Sequence, residues 1–318
     1  MKASLAASTT SFALSLLLLG APVTSRGQNL FVSNYGNNTI EEFNSSGVGT
    51  VFASLESVVG GAVVAPTGLA FDSQGNLYVN NYGGPVNKFN SSGVGTEFGY
   101  TVVDVSEGLQ GLAFDKNGNL YVASDEDLSI WEFNPSGGAG TTFATGFVTP
   151  YTGNIYPIGL AFDSSGNLFA TSQYPGSTIQ EFNTNGVGKL FTYSGPGLNI
   201  PSGLAFDKNG NLYVANSGND TIEEFNTNGV GTIFASSGLD YPEGLAFDSS
   251  GNLYVANHGN NTIEEFNTNG VGTVFASSGL DEPDYLAFQP VSEPATWAMV
   301  VMGVGVVLGV LGLSRRSC

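Results

Sequence analysis

Carboxylates dominate the side chains here that could do chemistry. The chain has 27 Asp and Glu against 8 Lys and Arg, a formal charge of −19, and a single histidine, His258. Glu243 and Asp284 stand at the same place in two successive copies of a repeated stretch, with Gln110 at that place further up the chain. Two carboxylates and an amide oxygen are the ligands Ca²⁺ accepts in flexible geometry, so these three are the candidate metal-binding residues. Asp125-Glu126-Asp127 is a second acidic cluster. Both compete with the plain alternative of solvated surface charge. The Asp-x-Asn-Gly-Asn stretches at 115–119 and 207–211 open like a calcium loop, but hairpin chemistry accounts for them.

Aromatic residues make up the other candidate set. Tyr35, Tyr82, Tyr151, Tyr156, Tyr174, Tyr241 and Tyr285 all map to loops of one face, interleaved with Asn81, Asn154 and Asn260. Aromatic platforms beside amide donors and acceptors suit sugar rings. The competing reading has these tyrosines packing under loops. His258 has no companion that would make it a general base, and no nucleophile elbow, zinc spacing or phosphate loop occurs. Excess acid excludes nucleic acid as a partner, since that needs a basic footprint.

These residues are positioned by a repeat. The Gly-Leu-Ala-Phe core starts at Gly68, Gly111, Gly159, Gly203 and Gly244, with an altered Tyr-Leu-Ala-Phe at Tyr285, giving spacings of 43, 48, 44, 41 and 41. A period near forty indicates a propeller-like array. Each copy splits into four short runs rich in β-branched and aromatic residues, separated by Asp- or Asn-initiated, Gly-ended turns, as hairpins require. The chain is therefore expected to be all-β, with four antiparallel strands per blade.

The ends fix the blade count. The first copy lacks its Gly-Leu-Ala-Phe strand and starts at Asn29, whereas the last core, 286–289, has nothing after it. That last core is expected to supply the innermost strand of the blade begun at Asn29, closing a six-bladed ring over 29–290 and removing open edges. Connections 55–67, 99–110 and 146–158 are longer than 236–243, which concentrates variation on one face, where function usually lives.

Residues 1–28 read as a signal peptide, with Lys2, an apolar run at 12–19 and small residues beyond. Past the ring, 295–313 is long and apolar enough for a transmembrane helix, and Arg315 and Arg316 predict a cytoplasmic C-terminus. The single Cys318 offers no disulfide framework.

Two resemblances add to this. Ser292-Glu293-Pro294, the Trp297-containing helix and the Arg315-Arg316 pair resemble the PEP-CTERM sorting signal, with Ser292 where that family has its first Pro. The resemblance implies an exosortase-like processing enzyme as partner and a cell-surface or exopolysaccharide-matrix destination. The repeat, with its Pro-x-Gly start and Asp-x-x-Gly-Asn-Leu-Tyr-Val hairpin, is similar to the NHL and SMP-30/gluconolactonase group of six-bladed propellers. The lactonase members of that group imply a divalent cation at the channel mouth. The corresponding ring here is Thr67, Gln110, Ile158, Ser202, Glu243 and Asp284, in which only two residues are carboxylates. The expectation is an exported, membrane-tethered propeller that binds glycan or protein through one loop face and is not an enzyme. The alternatives are a metal-dependent lactonase-type hydrolase and a structural spacer.

Overall fold

Each hairpin forms where a short polar side chain replaces missing backbone partners. In the computed structural model, Asp248 Oδ1 accepts hydrogen bonds from the backbone N–H of Ser250 and Asn252, both at 2.8 Å. Gly251 supplies the positive φ of the turn. Asp72, Asp115, Asp163 and Asp207 act in the same way at the same place in other copies. Asp115 and Asp207 are thus occupied with their own hairpins, as the sequence indicated.

The structure describes residues 28–55, 65–100, 108–145, 147, 156–173, 176–193 and 197–290. The expected signal peptide, transmembrane helix and sorting signal, including Glu293, Pro294, Arg315 and Arg316, lie outside the described residues, as do Tyr151, Asn154 and Tyr174. Among the described residues no helix is long and apolar enough to cross a membrane.

Six antiparallel blades follow the repeat. Blade 6, the most regular, consists of Pro242–Phe247, Leu253–Asn257, Thr262–Phe266 and Gly272–Ala276 from the inside outward. Blade 1 is built from both ends of the chain. Its outer three strands are Leu30–Asn34, Thr39–Phe43 and Gly49–Ser54, and its innermost is Pro283–Phe288. Leu30 pairs with Phe288 and Val32 with Leu286, the closure expected from the sequence. Blade 2 departs from the plan with a fifth strand. The two-residue segment Gly138–Ala139, from the last hairpin of blade 3, pairs parallel to Gly99 and Tyr100 on its outer edge.

Six apolar clusters lie between neighbouring blades. One joins Phe31 and Ile40 of blade 1 to Leu69 and Val79 of blade 2, and another joins Tyr254 and Ile263 of blade 6 to Leu30 and Leu286 of blade 1. Every second strand contributes an aromatic ring that sits edge-on between two phenylalanines. Tyr254, for instance, meets Phe275 of its own blade at 5.0 Å and Phe288 of the next at 4.9 Å. Such pairs add about 0.5–1.5 kcal/mol each beyond area burial.

The innermost strands touch one another around the axis, and glycine is what lets them. A Cβ on Gly111 would lie 2.6 Å from the carbonyl oxygen of Ile158, and one on Gly244 would lie 2.7 Å from that of Asp284. Just at this point all six innermost strands carry a bulge, between Pro242 and Leu245 in blade 6, between Pro283 and Leu286 in blade 1 and at the matching residues of blades 2 to 5. A bulge re-aims the side chain it contains. The residue before each glycine is that side chain.

Candidate binding site at the channel mouth

Two kinds of loop meet at one end of the axis. The turn between the second and third strands begins with the residue after a buried Asn, and this Asn also ties down the neighbouring outer-to-inner loop. Asn257 Nδ2 donates to the carbonyl of Gly238 at 2.9 Å, and its Oδ1 accepts from Asp240 N–H. Asn34 repeats this with Gly279 and Asp281. His258 N–H then reaches the Tyr241 carbonyl, and Tyr35 N–H that of Glu282. Tyr241 N–H donates to Asp220 Oδ1 at 2.8 Å, holding Tyr241 in a left-handed conformation at φ 50°. Tyr35, Tyr241 and His258 are therefore fixed by backbone, with ring centroids 6.4 Å (Tyr35 to His258) and 5.8 Å (Tyr241 to His258) apart.

These three line a cavity of about 310 Å³ together with Gln110, Asp125, Ile158, Gln173, Ser202, Glu243, Asp284 and Tyr285. The structure thus brings the candidate metal ligands and three of the seven candidate tyrosines into one place. Tyr82, the last residue of the strand Leu77–Tyr82 rather than a loop residue, and Tyr156 are exposed and do not line this cavity. Two further sequence expectations are corrected. Tyr285 is not a loop residue: it lies in the innermost strand of blade 1, and its ring packs against the cluster containing Leu69. Asn81 is not a loop amide: it is a fully buried strand residue whose Nδ2 donates to the Pro85 carbonyl.

Of the acids of the mouth, Glu243 is buried and Asp125 and Asp284 are half-buried. Glu243 is 9% exposed and Ser217 Oγ donates to its Oε1 at 3.3 Å. Burial pushes its carboxyl up to about 7, against the smaller opposing effect of the Ser202 and Ser217 hydroxyls. Asp284 is raised well above the ordinary carboxylate range, by burial first and then by the charge of Glu243. Two neighbouring carboxyls in one dry site do not both ionise easily. Asp125, raised by burial, accepts from Gln110 Nε2 at 3.0 Å. Burial lowers His258, against the pull of Glu282.

Four buried atoms of this cavity make no hydrogen bond of good geometry: Asp125 Oδ1, Ser202 Oγ, His258 Nδ1 and Tyr285 Oη. Ser202 Oγ lies near enough to Glu243 and Tyr285 to influence both, but is not aligned with either. The oxygens do not assemble into the lactonase-type cage. Thr67 Oγ1 is turned to the Leu109 carbonyl, Ile158 brings no ligand, and among the described residues no three Asp, Glu, His or Cys side chains come close enough to hold a metal ion.

Sequence reasoning found Glu243, Asp284 and Gln110 from their place in the repeat. It had no means of placing His258 beside them, because a single histidine in a turn carries no pattern. Asp125 was visible only as a member of an acidic run, and its bond to Gln110 depends on how that loop folds back.

Fold and repeat together define the class: the chain is a six-bladed β-propeller with NHL repeats, the NHL repeat model matching residues 198–225 and 239–266. Among solved structures, a chain of a nidogen/laminin complex superposes with a TM-score of 0.70 at 18% identity, covering 84% of this chain and 100% of that one. Virginiamycin B lyase from Staphylococcus aureus gives 0.56 at 17% identity, over 70% of this chain and 77% of the lyase. A streptogramin B lyase gives 0.55 at 15% identity, over 79% and 74%. Identity this low establishes the shared fold and nothing finer. No curated protein matches the chain in sequence.

Proposed function

We propose that this protein is an exported binding module, tethered to the membrane or released to the cell surface, that recognises a glycan at the mouth of its channel. The observation that carries this reading is a cavity rimmed by Tyr35 and Tyr241 whose lining residues Asp125, Ser202, His258 and Tyr285 each keep a buried polar atom without a hydrogen bond of good geometry. Buried polar atoms without partners are costly, at about 1–3 kcal/mol each, and several of them around one cavity mark it as a site that is not built for stability alone. A sugar has the matching surface: hydroxyls for Asp125, Ser202, His258 and Tyr285, and a C–H face for the tyrosine rings, which are 37% and 41% exposed. Export and tethering rest on the signal-like residues 1–28 and on the sorting-signal resemblance around Glu293 and Pro294.

Retention of the full-length protein on the exopolysaccharide of its producing cell tests the reading. Tyr35→Ala with Tyr241→Ala should weaken retention at least tenfold, about 1.4 kcal/mol. Retention that ignores both substitutions would refute a mouth site. Calcium-dependent lactone hydrolysis lost in Glu243→Gln would replace the binding reading with the lactonase-type hydrolase.

A further inference from the structure

We infer that the group held at the mouth is an organic cation, a primary ammonium of the kind a de-N-acetylated amino sugar carries; this rests on the mouth being the glycan site. The first ground is how charge is distributed between the two ends of the ring. The described cations are Lys88, Lys116, Lys189 and Lys208. Lys116 and Lys208 sit in hairpin turns between first and second strands, at the end opposite the mouth. Lys88 pairs with Asp72 of such a turn at 3.6 Å, and Lys189 with Glu181 at 3.0 Å just after a turn of the same end. Among the described residues no Lys or Arg lines the mouth cavity, whereas Asp125, Glu243 and Asp284 line it from blades 3, 6 and 1. An anionic ligand would meet three carboxyls and no counter-charge.

The second ground is the spacing of these acids. They share a cavity but do not come close enough together for a metal ion. An ammonium on a larger molecule has no such requirement. It places three donors in different directions and reaches acceptors through its own carbon frame. The third ground is Ser202, which is fully buried, lines the cavity and leaves its Oγ without an aligned partner. Asp125 Oδ1 and His258 Nδ1 are two further buried atoms without a hydrogen bond. The rings of Tyr35 and Tyr241 lie 6.4 and 5.8 Å from that of His258 at the rim, and aromatic rings attract a cation placed over their faces.

Calorimetric titration of the full-length protein at pH 7 with glucosamine, N-acetylglucosamine, glucose, putrescine and calcium chloride separates the possibilities. Glucosamine should bind at least tenfold more tightly than the two uncharged sugars, and Glu243→Gln and Asp125→Asn should each narrow that gap. Equal binding of the three sugars overturns the cation inference and leaves the glycan reading standing. Putrescine equal to glucosamine supports the cation and removes the glycan. No binding by any of them defeats both. Displacement of glucosamine by calcium chloride overturns the inference in favour of a metal site.

Discussion

Replacing Glu243 with Gln should make the ring more stable at pH 8, though it removes a charged residue from the centre of the molecule. The carboxyl is 9% exposed and faces Asp284 and Tyr285 of blade 1, Ser202 of blade 5 and the Ser217 hydroxyl. In the folded protein burial moves its titration from 4.5 up to about 7. Between those two values the native state holds a proton that the unfolded chain has lost, so stability falls as pH rises from about 4.5 to about 7 and stays low above that. At about 1.4 kcal/mol for each tenfold, the difference is about 3 kcal/mol. Gln keeps the shape and cannot ionise, and Asp284 then ionises without a charged neighbour, which acts in the same direction. Thermal melts at pH 4.5 and pH 8 measure this. The variant should match the wild type at pH 4.5 and melt about 6 °C higher at pH 8. A variant that gains nothing on going from pH 4.5 to pH 8 would refute the buried-pair argument. A site kept at such a cost in stability is one held for its use.

Other expectations follow from the fold. Truncation before Pro283 removes the innermost strand of blade 1, leaves the Leu30–Asn34 edge unpaired, and should lower the melting of the entire ring rather than abolish one blade. Gly111→Ala puts a methyl group against the Ile158 carbonyl, and should destabilise by about 1–3 kcal/mol in denaturant titration. Phe266→Ala, at a fully buried position between blades 5 and 6, should lose about 3–5 kcal/mol by the same measurement. If the sorting-signal resemblance holds, mass spectrometry of the surface form should find the chain cut near Glu293 and Pro294; an intact C-terminus through Arg316 would argue for a plain anchor.

The ring was legible because its instructions are local and repeated. Asp248 through Asn252 specifies a hairpin wherever it occurs, Gly-Leu-Ala-Phe marks the strand that must approach its neighbour, and the missing first copy of that strand pointed to 286–289 as its replacement, where the structure has Pro283–Phe288. The exceptions depend on distant contacts. Gly138–Ala139 has no strand propensity of its own and becomes a strand only because the edge at Gly99 and Tyr100 offers free partners. Tyr285 breaks the glycine rule of the inner ring, and nothing in the period tells that its side chain lines the mouth and packs toward Leu69. At the site, position in the repeat sufficed for Glu243 and Asp284, whereas His258 and Asp125 needed the loop path. The cavity depends on both.

The closing strand also decides which way the molecule looks. Pro283–Phe288 starts beside the mouth and runs away from it, so that Gln289 N–H meets the Asn29 carbonyl at the far end, where Gln28 and Pro290 both leave the ring. A propeller held by either end of its chain stands on the face that carries Lys116 and Lys208 and turns its acidic, tyrosine-rimmed opening outward. If the proposed tether holds the chain at either end, attachment and display fall at opposite ends of one axis.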